Sequence, residues 1–167
     1  MSTKQRTGLN GVALDAWRGY LLSHAAITRE LDAALVAKHG LTARDYEVLL
    51  FLAHEEGRRL PMSELANRTM LTRSGVTRLV DGLAKSGLVE RVSCPEDLRV
   101  SYCQLTDEGF DRLREAGPTH IESVRAAFLQ HFNEEETEQL AKLLARLPGA
   151  GEGPACSVDE APDCAVE

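Results

Sequence analysis

No stretch of this chain approaches the roughly 20 consecutive apolar residues of a membrane-spanning helix, so no membrane partner is expected. The opening residues, MSTKQRTGLNG, lack the apolar core of a secretion signal, and a cytoplasmic protein is the expectation. Cysteine is sparse: Cys94, Cys103, Cys156 and Cys164 form no C-x-x-C pair, and reduced thiols rather than a disulfide framework are expected. His39, His54, His120 and His131 are scattered, with no ligand pair four residues apart, so no metal is expected. A glycine-rich phosphate loop and a metalloprotease signature are both missing. Ser74-Gly75 follows Thr72-Arg73 without the G-x-S-x-G elbow of a hydrolase. These absences exclude the common enzyme classes and predict no cofactor. There is no internal repeat.

Beyond Leu147 the sequence has no lysine or arginine but carries Glu152, Asp159, Glu160, Asp163 and Glu167. Gly, Pro, Ala and acids without periodicity predict a disordered tail over 148–167. The net charge is −7, and without those acids it is −2. Between Arg68 and Lys85 the balance reverses, with Arg68, Arg73, Arg78 and Lys85 against Asp81 alone. Basic charge is thus concentrated on one segment, as phosphate contacts require.

The patterning explains why that segment matters. Val76, Leu79, Val80 and Leu83 recur at i, i+3, i+4 and i+7, the apolar face of a helix. Ser74, Thr77, Arg78 and Asp81 repeat the spacing on the opposite face. A short-chained, polar, basic helix face is suited to a DNA major groove. Thr72 is a good N-cap for this helix and Gly87 a good stop. Leu88–Ser93 and Val100–Leu105 read as two strands of a hairpin whose loop holds Pro95, Glu96 and Asp97.

On either side lie further helices. A long apolar pattern runs from about Val12 to His39 and stops at Gly40, over an arc too wide for a single packing partner. Thr42, with Asp45 three residues on, caps a second helix carrying Tyr46, Leu49, Leu50 and Ala53, which Gly57 closes. Arg58 to Pro61 is an extended link, and Pro61 opens a short helix with Leu65 and Ala66 inward. Thr106 caps another helix through Phe128, which Gly117 and Pro118 are expected to kink or interrupt. Asn133 caps a last helix with Leu140, Leu143, Leu144 and Leu147 along one side.

The run SELANRTMLTRSGVTRLVDGLAKSGLVER and the segment PEDLRVSYCQLTDEG resemble the MarR family of bacterial transcription regulators. The similarity covers roughly Ala16 to Leu147, and its most specific element is Asp97-Leu98-Arg99 followed by Leu105 and Thr106. The resemblance implies a mainly α fold with a small β-wing, in which a winged helix-turn-helix lobe sits on a helical dimerisation base. It divides the chain into a lead (1–10), a dimerisation helix (11–41), a DNA-binding lobe (42–106), dimerisation helices (107–147) and the acidic tail (148–167). It also implies a homodimer, repression as the default, and a small-molecule cleft between base and lobe. Two departures stand out. Met70 occupies a turn position where many relatives have glycine, and Leu98 replaces a common wing arginine.

Site expectations follow. Arg73, Ser74, Thr77 and Arg78 are the candidates for DNA contact, with Arg78 able to grip guanine O6 and N7. Thr72 caps the helix and can meet a phosphate, while Asp81 either orients Arg78 or touches DNA. By resemblance, Arg99 enters the minor groove and Asp97 supports it or the wing backbone. Two lobes would read a pseudo-palindrome in double-stranded DNA.

Trp17, Arg18 and His24 lie near the place where relatives bind phenolic or carboxylate effectors. Taken singly they are better explained as core packing, a solvated cation and a satisfied interface histidine. Two alternatives stay open: redox sensing through Cys94 and Cys103, which flank the wing tip, and a winged-helix module that binds protein.

Overall fold

The computed structural model describes residues 8–93 and 100–148. Residues 1–7 of the expected lead, and the expected tail from residue 149 onward, lie outside the described residues. In chain order the elements are α1 (Gly11–His39), α2 (Ala43–Ala53), β1 (Arg59–Pro61), α3 (Met62–Arg68), α4 (Arg73–Lys85), β2 (Val89–Ser93), β3 (Ser101–Leu105), α5 (Asp107–Ala127) and α6 (Glu134–Leu144). Single 3-10 turns occupy Glu56–Arg58 and Leu129–His131.

Local chemistry sets the helix ends. Gly40 adopts a left-handed conformation, φ 68°, and its N–H returns to the Val36 carbonyl, which ends α1. Thr42 and Asp45 form a reciprocal capping box at α2, as Asn133 and Glu136 do at α6. Thr72 and Thr106 cap α4 and α5. The helix α2 ends at Ala53, short of Gly57, which instead sits at φ 65° inside the 3-10 turn that leads into β1.

The helix α2 is the hub of the core. Tyr46 and every residue from Val48 to Ala53 are buried, so it is covered all round rather than along one stripe. Leu35 of α1, Leu65 of α3, Val76, Val80 and Leu83 of α4, Cys103 and Leu105 of β3, and Leu113 and Ala116 of α5 join it in one cluster. The sheet is antiparallel with β3 between β1 and β2; Leu60 and Arg91 both stand opposite Cys103.

Thr106 welds the lobe to α5. Its Oγ1 donates to the Gly87 carbonyl at 2.7 Å and accepts from the Gly109 N–H at 3.0 Å. Gly109 has to be glycine here, because a Cβ would fall 2.0 Å from the Leu88 carbonyl oxygen. Of the kink or interruption expected at Gly117 and Pro118, the interruption does not occur: α5 is continuous there. Leu113, Ala116, Gly117 and Thr119 pack inward on both sides of the proline, which holds the chain helical across the missing N–H.

Outside this core the apolar surface is uneven. Among the described residues, every large exposed apolar side chain except Met70 lies at residues 9–36 or 129–147, including Val12, Trp17, Tyr20, Leu22, Leu143 and Leu147. The helix α6 buries no residue at all. No helix of the described residues is long and apolar enough to cross a membrane.

Candidate nucleic-acid interface

The helix α4 presents two opposed faces. Val76, Val80 and Leu83 are buried, and Thr72, Arg73, Ser74, Thr77 and Arg78 are all exposed. The structure therefore brings the five described DNA candidates together on one surface. The Thr72 hydroxyl accepts from the Gly75 N–H at 3.1 Å and lies 3.2 Å from Ser74 Oγ, so its first task is capping. Arg78 Nε makes one long bond, 3.4 Å, to the Ser74 carbonyl, which steadies the stem and leaves the guanidinium head toward solvent. Arg73 has no ion pair among the described residues; it lines a 320 Å³ cavity with Ser63, Thr77 and Ser101, between α4 and the start of β3. Asp97 and Arg99 of the expected wing tip lie outside the described residues.

The turn before α4 explains one departure noted in the sequence. Met70 is 82% exposed and sits at φ 53°, the left-handed region that favours glycine. The turn takes a conformation that suits glycine, and methionine bears the strain.

Two charged residues behave differently from the sequence expectation. Asp81 does not orient Arg78; its Oδ1 accepts from Arg91 Nη2 at 2.9 Å. Arg68 is not a free cation for phosphate, because it binds Glu55 and Glu64. Partial burial works against its charge, but the hydrogen bonds it donates to those carboxylates, with their negative charge, outweigh it and raise the guanidinium pKa above its ordinary value. Arg91 escaped sequence reasoning. Its only sequence signal is a cation at an exposed position of the strand after α4.

Cys103 is fully buried, and that burial pushes its thiol up to about 12, against a small opposing effect of Arg91. A buried, protonated thiol reacts poorly with oxidants, so the redox alternative loses Cys103. Cys94 lies outside the described residues. Among the described residues no cluster of His, Cys, Asp or Glu is arranged to hold a metal ion.

A second feature is a 640 Å³ cleft between α1, α2 and α5. His24 lines it, with Thr28, Asp32, Arg44, Tyr46, Glu47 and His120; Trp17 and Arg18 do not. Trp17 is half-exposed and stacks on Tyr20 at 6.0 Å, and Tyr20 lies 6.3 Å from His24, an aromatic ladder along α1. His120 stacks on Tyr46 at 4.5 Å, and its buried Nδ1 has no partner among the described residues. Burial lowers the His120 pKa, which favours the neutral ring. Asp32 ties α1 to the lobe by accepting from the Ala43 N–H at 2.6 Å. Of the lining residues, sequence reasoning assigned only His24 to a ligand site, because the cleft assembles residues far apart in the chain.

The surface and the cleft can be set beside known proteins. A model of the MarR family matches residues 39–99, a range that contains α2 to β2. The transcriptional repressor YetL of Bacillus subtilis is 34% identical over 111 residues, 66% of either chain. The regulator PecS of Dickeya dadantii is 33% identical over 122 residues, 72% of either chain. Among solved structures, AbsC of Streptomyces coelicolor superposes with a TM-score of 0.77 at 33% identity, covering 83% of this chain and 93% of that one. Sco3205 from the same organism, solved in complex with DNA, gives 0.79 at 30% identity, covering 91% and 98%. With two such relatives and two such structures matched across most of its folded length, the chain belongs to the MarR family of transcriptional regulators.

Proposed function

We propose that this regulator is a repressor that binds a pseudo-palindromic operator as a homodimer and is released by a small-molecule effector. The observation that carries the reading is the exposed face of α4, where Arg73, Ser74, Thr77 and Arg78 stand opposite a buried stripe. Such a face enters a major groove, reads base edges through arginine and small hydroxyls, and anchors on phosphates. Sco3205, similar over nearly its whole length, was solved with DNA, and YetL is named a repressor; both support the reading.

Residues 11–41 and 107–147 form the dimerisation base, and 42–106 the DNA-binding lobe. The apolar surface left open on α1 and past residue 128 supports pairing, since a lone soluble chain rarely exposes so much. The role proposed for Arg99 is entry into the adjacent minor groove, with Asp97 supporting it or the wing backbone. The effector occupies the cleft between α1, α2 and α5, a site at the junction of base and lobe. A neutral His120 with a ring nitrogen unpaired among the described residues, and Arg44 at the cleft's edge, suit an aromatic acid or phenol. Arg18 and Trp17 flank it from α1 rather than line it. Work on DNA places the protein in the cytoplasm.

Footprinting on the region upstream of its own gene tests the proposal. Two protected half-sites about one helical turn apart, roughly 10 base pairs, are expected, and an aromatic acid from a panel should lift the protection. Protection of a single half-site, or none at low salt, refutes paired operator reading.

A further inference from the structure

Asp81 is an anion on the DNA-facing half of α4, one turn beyond Thr77 and close to Arg78. Left alone, a carboxylate there repels phosphate and weakens the field that the arginines create. The strand β2 supplies the compensation. Arg91 Nη2 donates to Asp81 Oδ1 at 2.9 Å and to the Thr77 carbonyl at 3.3 Å. Their side chains are 36% and 51% exposed, so the pair is surface chemistry rather than core. In the sheet Arg91 stands opposite Cys103 of β3. One guanidinium thus bridges the first strand of the wing and the middle of the reading helix.

Building on the DNA-binding role proposed above, we infer that Arg91 is a positioning residue for recognition. It cancels the charge of Asp81, so that Thr77 and Arg78 meet DNA without an uncompensated anion beside them. Arg91 acts through Asp81 and does not itself touch phosphate.

The test is a double-mutant cycle on the full chain, using Arg91→Ala, Asp81→Asn and both together. Binding to an operator duplex and an unrelated duplex is measured over a salt series, with thermal unfolding as a folding control. Arg91→Ala should weaken binding to both duplexes by about five- to tenfold, the effect of one bare charge near phosphate in a watery setting. Asp81→Asn alone should tighten binding, because it adds one net positive charge near the phosphates. Adding Asp81→Asn to Arg91→Ala should restore affinity and salt slope together, and Arg91→Lys should retain most of the affinity. If the double variant binds no better than Arg91→Ala, Arg91 contacts phosphate directly and the inference falls. It falls equally if Arg91→Ala binds like the unaltered protein, or, should that variant not fold, if Asp81→Asn fails to tighten binding. Failure of the unaltered protein to bind any duplex is a different result, and it overturns the DNA-binding role itself.

Discussion

Arg78 is the residue from which base discrimination is expected. Its head is exposed, its stem is steadied by the Ser74 carbonyl, and its carboxylate neighbour is engaged by Arg91. Arg78→Ala should cost about 1 to 3 kcal/mol at the base pair it reads and relax preference there. Anisotropy titrations against operator duplexes changed one base pair at a time measure this, and a uniform loss on all sequences argues for a phosphate contact instead. Gly109 is the opposite kind of residue, remote from DNA and fixed by space. Gly109→Ala forces a methyl onto the Leu88 carbonyl and should destabilise the fold by about 3 kcal/mol, read by denaturant unfolding. At this scale the sequence was informative wherever a side chain acts on its own helix. The faces of α4 and the caps Thr42, Thr72, Thr106 and Asn133 all stand where periodicity and capping chemistry put them. It was uninformative wherever the partner comes from another element. Asp81 faces Arg91 and Arg68 faces Glu55, choices that spacing along one helix does not encode.

Elements show the same division. Gly117 and Pro118 read as a kink or an interruption, yet α5 continues through them because neighbouring helices supply packing that a local rule does not see. The stripe read on α2 became a helix buried all round, since α1, α5 and the sheet each cover one side. The cleft between α1, α2 and α5 has a consequence for pH. His120 has its pKa lowered from 6.5 by burial, so the unfolded chain binds the proton more readily than the folded one. Its contribution is complete above about pH 6.5 and is lost as pH falls below that value, through the window down to its depressed folded pKa. The melting temperature should therefore drop between about pH 7 and about pH 5.5. His120→Phe, which keeps a ring against Tyr46, should flatten that drop. An unchanged pH profile in the variant means that other groups set the acid sensitivity.

For the whole molecule, the uneven apolar surface makes the paired state the decisive structural expectation. Tyr20→Asp together with Leu143→Asp places charge on two of the exposed apolar positions of α1 and α6. Light scattering should show a monomer, and operator affinity should fall by on the order of a hundredfold or more, because two weakly bound lobes lose their shared register. A double variant that remains dimeric moves the interface elsewhere. At this scale the distribution of charge matters more than its sum, since a net −7 by itself is the wrong sign for DNA. The described reading face is cationic because Arg73 and Arg78 are exposed there while Asp81 is neutralised by a neighbour.

The most direct measurement of the account is the salt dependence of binding between the unaltered protein and a duplex from its own upstream region. Log affinity is expected to fall linearly with log salt between about 50 and about 200 mM, as counterions released by several phosphate contacts require. Two protomers per duplex should be bound throughout. Affinity that ignores salt, or no binding at the low end of that range, contradicts the assignment of α4 as a surface for DNA.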